Sequence, residues 1–257
     1  MAVIVDRLRA AGCVFAEEEA QLLLCHADTP GGIEAAVRRR VGGEPLEYVL
    51  GVAMFCGLPI AVRPPVFIPR RRAEVLALAA ADVVRTRPVG ATVLDLGCGS
   101  AAIAAVVAAA VSTARVWASD VSAEAVEVAQ RNAARYGIAV VRSDWWSDIP
   151  ARLRREIDVA VAYLPHVPDD RLDEVPADYR RAEQRLAIGG GPDGLDPLRR
   201  VLAELHLWLA PGGSFLTLLA ADQRDPAVTL LREHGWEVSD RAAPDSVVLH
   251  VRGRRRP

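Results

Sequence analysis

Val93-Leu94-Asp95-Leu96-Gly97-Cys98-Gly99-Ser100 decides the fold, because an apolar strand runs into a tight glycine turn and then into the helical run Ala101 to Val111. Gly97 and Gly99 let the backbone take conformations closed to other residues and let a ligand approach the main chain, while the helix behind presents its free N–H groups. This is the signature of a nucleotide cradle. Asp95 precedes the first glycine by two residues, an acid that the dinucleotide fingerprint Gly-x-Gly-x-x-Gly/Ala does not need, although Ala102 formally completes that pattern. The turn alone leaves both readings open.

Outward from the turn, strands and helices alternate from residue 91 onward, which predicts an α/β sheet with right-handed crossovers. The expected strands are Thr92 to Leu96, Arg115 to Ser119, Ala139 to Arg142, Ile157 to Ala162, Ser214 to Ala220, Glu237 to Ala242 and Ser246 to Val251. Asp196-Pro197 and Asp225-Pro226 each predict an N-capping acid ahead of a proline at the first helical position. Upstream, Val3 to Ala11, Glu17 to His26 and Ile33 to Val41 read as short helices, separated by Gly12 and by the breaker Thr29-Pro30-Gly31-Gly32. Residues 53–56 and 59–62 flank Gly57-Leu58 as a hairpin, and Arg63 to Pro69 is an extended, proline-rich connector before a helix from about Arg72 to Arg85. The organisation expected is a helical N-terminal domain over 1–50, a hairpin and connector over 51–74, and a Rossmann-like domain over 75–257.

The 257 residues are 51% hydrophobic, enough for a substantial core. All 31 basic residues are arginine, which excludes a lysine nucleophile or Schiff base, and a net charge of -2 argues against direct nucleic-acid or membrane binding. Cys13, Cys25, Cys56 and Cys98 are scattered without a Cys-x-x-Cys pair, so no metal site or disulfide framework is expected. The short run Ala2 to Val5 makes no signal-peptide core, and the expected location is cytoplasmic. The basic end, Arg252 to Pro257, reads as a solvated tail.

Two acids beyond the turn can contact a nucleoside. Asp120 closes the second strand, where a carboxylate can accept both ribose hydroxyls or cap the helix that follows. Asp144 follows the third strand and can accept from an adenine amino group while Trp145 covers the base; Trp145-Trp146 can equally be plain packing.

The chain resembles the HemK/PrmC family, the protein-(glutamine-N5) methyltransferases of peptide-chain release factors. Asp95-x-Gly97-x-Gly99 is similar to the class I S-adenosylmethionine methyltransferase turn. Gly43-Glu44-Pro45-Leu46-Glu47-Tyr48-Val49-Leu50-Gly51 resembles the family segment Gly-x-Pro-Leu-x-Tyr-x-x-Gly, and Phe55-Cys56-Gly57-Leu58 and Phe67-Ile68-Pro69-Arg70 resemble its hairpin and connector. Ser143-Asp144-Trp145 and Gly190-Gly191-Pro192-Asp193-Gly194-Leu195 follow in order and spacing. The resemblance implies a Rossmann-like class I methyltransferase fold with a small helical N-terminal domain and a seven-stranded sheet whose last strand is antiparallel. It also implies S-adenosylmethionine held by the glycine turn and Asp120, and a release factor as partner.

One segment departs from that pattern. Where the family carries Asn-Pro-Pro-Tyr or Asn-Ala-Pro-Tyr after its fourth strand, this chain reads Tyr163-Leu164-Pro165-His166. An amide nitrogen is a poor nucleophile because its lone pair is delocalised, and the family's Asn carbonyl and a nearby backbone carbonyl accept the amide hydrogens to localise it. A phenol cannot reproduce that carboxamide. Ala101 replaces a third glycine, Arg71-Arg72-Ala73-Glu74 replaces Pro-Glu-Thr-Glu, and Gln184 stands in place of proline. Three functions follow as expectations: glutamine transfer through a remodelled motif; transfer to a small molecule or another side chain, with Tyr163, Pro165 and His166 at the acceptor; or a non-catalytic cofactor-binding protein. His166 is expected in a loop, either solvated or acting as a base.

Overall fold

The computed structural model describes residues 1–26 and 29–253. Helices α1 (Ala2–Ala10), α2 (Ala16–His26), α3 (Pro30–Val41) and α4 (Leu46–Leu50) open the chain. Val5, Leu8, Ala20, Leu23 and Val37 form their own small core. The expected breaker at Thr29 to Gly32 is instead the start of α3: Thr29 Oγ1 accepts the Gly32 amide and Pro30 takes the first helical position, where its missing N–H costs nothing. The short helix α4 had no periodic signal in its five residues.

Strands β1 (Val52–Phe55) and β2 (Leu58–Ala61) make the expected hairpin. Then come α5 (Glu74–Arg85), β3 (Thr92–Leu96), α6 (Ala102–Ala110), β4 (Arg115–Asp120), α7 (Ala123–Ala133), β5 (Ala139–Arg142) and β6 (Ile157–Ala162). The chain closes through α8 (Ala177–Ala182), α9 (Asp196–Trp208), β7 (Leu209–Ala220), α10 (Arg224–Glu233), β8 (Trp236–Ala243) and β9 (Ser246–Gly253). The sheet order is β5-β4-β3-β6-β7-β9-β8, with only β9 running against its neighbours β7 and β8. Strand order reverses between β3 and β6, which opens a crevice at their carboxyl ends.

Alternation along β3 sorts its side chains between two cores. Val93 packs with α5, α6 and α7 on one face, while Leu94 and Leu96 pack with Leu198, Leu202 and Leu205 of α9 on the other. Asp95 therefore points to the α6 side, where its Oδ2 accepts the Ala104 amide at 3.0 Å. The expected capping acids sit inside their helices, Asp196 as the first residue of α9 and Asp225 as the second of α10. Leu195 takes the cap position of α9 and Asp193 accepts the Leu195 amide, whereas Asp196 and Asp225 pair with Arg199 and Arg224. Strand β7 also starts earlier than expected: Leu209 pairs with Ile157 and Ser214 with Val159, so Pro211-Gly212-Gly213 is absorbed as an irregularity inside the strand. Of the basic tail, Arg252 and Gly253 belong to β9, and 254–257 lie outside the described residues.

Asn132 on α7 fastens the hairpin to the sheet domain. Its Oδ1 accepts the Ala61 amide at 2.9 Å, and its Nδ2 donates to the carbonyls of Ala61 at 3.0 Å and Ser100 at 2.8 Å. Asn132→Ala strands these backbone groups in a mostly buried setting and is expected to lower stability by about 2–3 kcal/mol, read by chemical denaturation.

Candidate functional site

A cavity of about 380 Å³ fills the crevice and is lined by Asp95, Gly97, Gly99, Asp120, Asp144, Trp145, Tyr163 and Pro165. Gly97 and Gly99 have φ of +73° and +53°, and Ala101, in place of a third glycine, holds a left-handed φ of +60° as it enters α6. The methyl of Ala101 is fully buried, so core contact offsets the cost of that conformation. The turn is held from the next strand: Asp120 Oδ2 accepts the Gly99 amide at 2.8 Å and Oδ1 accepts the Ser122 amide at 2.9 Å. Asp120 thus supports both the turn and the start of α7, where Ser122 is the capping residue. Each carboxylate oxygen keeps a further lone pair for a ligand hydroxyl.

Burial pushes the Asp95 carboxyl up to about 7, opposed by the Ala104 amide and reinforced by the nearby Asp120. Its Oδ1 is buried without any hydrogen-bond partner. An unpaired carboxylate oxygen beside a glycine turn is matched to a cationic ligand, which would repay its desolvation. Asp144 lines the same cavity but already accepts from Arg200 at 2.8 Å, so that ion pair shares it with any ligand. The two tryptophans divide their work. Trp145, at φ +52°, lies against Gly97, while Trp146 stacks on Trp208 at 5.6 Å and donates Nε1–H to the Val201 carbonyl.

Residues 93–185 match the family model described as a methyltransferase domain. The release factor glutamine methyltransferase of Moorella thermoacetica is 36% identical, over 94% of this chain and 91% of its own length. The chain belongs to the release factor glutamine methyltransferase family. The Gloeobacter violaceus member is 37% identical over 77% of this chain and 70% of its own length. Among solved structures, a ribosomal protein L11 methylase from Lactobacillus delbrueckii subsp. bulgaricus shares the fold at a TM-score of 0.54 and 19% identity, covering 72% of this chain and 81% of that one. The protein is a class I methyltransferase that uses S-adenosylmethionine, and the orphaned Asp95 oxygen, the glycine turn and Asp120 suit a cation carrying a ribose diol. No helix among the described residues is long and apolar enough to cross a membrane.

The segment after β6 separates the expected acceptor residues. Tyr163 and Pro165 line the crevice cavity, but His166 lines an adjoining chamber of about 480 Å³ that shares Phe67, Arg70, Tyr163 and Pro165 with the first. His166 is buried, not solvated: Nδ1–H donates to the Leu164 carbonyl at 2.8 Å, and burial lowers its pKa to about 4, so the ring is neutral at neutral pH with Nε2 as an acceptor. The Tyr163 hydroxyl accepts from Arg72 Nε at 2.7 Å, and burial raises its pKa.

The sequence reading had no role for Arg70, Arg72, Tyr179 or Gln223. The departure of Arg72 from the acidic family position was the available signal, whereas Tyr179 and Gln223 carried none. Gln223 Nε2 donates to the His166 carbonyl at 2.7 Å and the Asp193 carbonyl at 3.2 Å. Gly190 N donates to Val167 O at 2.8 Å, so the Gly190–Gly194 loop is sewn onto the acceptor segment. A Cβ on Gly194, at φ +77°, would overlap both Gln223 Nε2 and the His166 carbonyl. Gly194→Ala is expected to cost about 2–4 kcal/mol and to lower methyl transfer further than cofactor affinity, measured by thermal unfolding and calorimetry.

Proposed function

We propose that this chain transfers the methyl group of S-adenosylmethionine, held by Asp95, Gly97, Gly99, Asp120, Asp144 and Trp145, to an acceptor presented at Tyr163 and Pro165 that is not the carboxamide of a release-factor glutamine. When bound, the cofactor supplies an electrophilic methyl on a sulfonium. Asp95 faces positive charge, Asp120 takes ribose hydroxyls on the lone pairs left free by Gly99 and Ser122, and Trp145 covers the turn. Asp120→Ala is expected to weaken S-adenosylmethionine binding by about 1.5–3 kcal/mol in calorimetry, with Asp120→Asn intermediate because its carbonyl keeps one acceptor. Equal affinity in all three proteins would remove Asp120 from the cofactor site.

The observation that carries the acceptor reading is the bond from Arg72 to Tyr163. The position that holds a carboxamide in the family pattern presents a phenol already engaged by a guanidinium. The neighbouring Leu164 carbonyl is engaged too, by His166 Nδ1–H. The Leu164 carbonyl keeps one lone pair, but the Tyr163 phenol does not replace the carboxamide as the second acceptor, so the lone pair of a glutamine nitrogen would stay largely delocalised. A hydroxyl, thiol or amine needs no such help, and the neutral His166 Nε2 offers a hydrogen-bond acceptor that can position it. A second reading keeps the release-factor glutamine as acceptor, and identity across nearly the whole chain with the Moorella thermoacetica relative favours it.

Mass spectrometry of a purified release factor after incubation with enzyme and S-adenosylmethionine separates the two. Little or no glutamine methylation is expected from the native chain, with a gain of about tenfold or more in Tyr163→Asn combined with His166→Tyr. Efficient methylation by the native chain would establish the second reading.

A further inference from the structure

The chamber beyond Tyr163 has the chemistry of a binding site for an anion. Arg72 stands where the family pattern has an acid, and Tyr163 where it has Asn; the two altered residues, 91 positions apart, are hydrogen-bonded to each other. Arg72 meets no carboxylate within ion-pair distance among the described residues, so its guanidinium is left able to meet an anion. The other guanidiniums at the chamber are neutralised, Arg70 by Glu183 and Arg171 by Glu174 and Asp222.

Arg70 forms the wall between the two cavities. Its guanidinium lies 3.9 Å from the Tyr179 ring centroid and 4.5 Å from that of Phe67, and Nη2 donates to Glu183, whose other oxygen accepts the Ile68 amide at 2.9 Å. Nη1 is buried with no partner at all. A buried donor on a charged group is costly to leave unpaired, and an anionic oxygen is the partner that compensates it best. Two guanidiniums with unused donors, aromatic faces from Phe67, Tyr163 and Tyr179, and the neutral acceptor His166 surround a space of about 480 Å³. That volume is in the range of small-molecule sites.

We infer that this chamber binds the methyl acceptor, and that the acceptor is a small planar molecule bearing a carboxylate, read by Arg72 and Arg70 between aromatic walls. The inference rests on the methyl-transfer reading above and adds the substrate class. Aromatic faces favour a flat ring, and the fork of a guanidinium matches the two oxygens of a carboxylate. A neutral carboxamide of the same shape gains neither the charge nor the paired geometry.

Calorimetry on the full chain with S-adenosylhomocysteine bound tests this with 4-hydroxybenzoate and 4-hydroxybenzamide as probes. The carboxylate is expected to bind about tenfold tighter or better, and Arg72→Gln to remove that preference. Arg72 is exposed, so the variant is expected to fold, and its own titration with S-adenosylmethionine verifies an intact cofactor cavity. Equal affinity for the two probes, or an undiminished preference in Arg72→Gln, overturns the inference while leaving the cofactor reading standing. Failure of the native chain to bind S-adenosylmethionine overturns both.

Discussion

Asp120 sits at the end of β4 and accepts the amides of Gly99 and Ser122, so one carboxylate ties the turn after β3 to the helix after β4. Without that pairing the Gly97–Gly99 turn would have positive-φ residues and exposed amides but no fixed partner across the crevice. Burial raises the carboxyl's pKa, and the amides of Ser122, Gly99 and Val121 pull the other way. The cradle depends on those amides opposing the cost of burying the carboxylate where solvent is largely excluded. Asp95 completes the arrangement from β3 with an unpartnered oxygen, a local cost of the kind found where a charged ligand is to be met.

The segment after β6 is built by a different device. The Gly190–Gly194 loop, Gln223 and the carbonyls of His166 and Val167 form a backbone-rich mesh that fixes the course of the chain after β6, whatever side chains that course carries. The mesh recognises main-chain atoms and leaves the side chains at 163 and 166 free to change. The phenol at 163 is satisfied by the guanidinium at 72. A Tyr163 hydroxyl set into that position without Arg72 would lack its donor in a mostly enclosed place.

The α/β class, the strand positions and the glycine turn were legible in the sequence because they are written in local terms. Buried parallel strands are runs of apolar residues, the turn needs glycine at φ values closed to other residues, and acids at strand ends sit next to the segments they serve. The same locality explains the misplaced details. Asp196 and Asp225 carry a capping signature, but the packed chain starts α9 one residue earlier and α10 two, and Pro211-Gly212-Gly213 reads as a break where β6 offers a partner strand.

Membership of the family was also legible, since ordered motifs across nearly the whole chain carry it. The sequence alone determined that the Asn-Pro-Pro-Tyr pattern is changed and that a carboxamide is missing at 163. It could not say that Arg72 bonds the replacing phenol, that His166 is buried in a separate chamber, or that Arg70 is left with an unpaired Nη1 between two aromatic rings. Those facts join the connector before α5 to the segment after β6 across about ninety residues, with partners chosen by how the sheet and the loops close in space. Hydrogen bonds, burial and charge compensation at that distance are properties of the packed chain, and no spacing rule in one dimension encodes them.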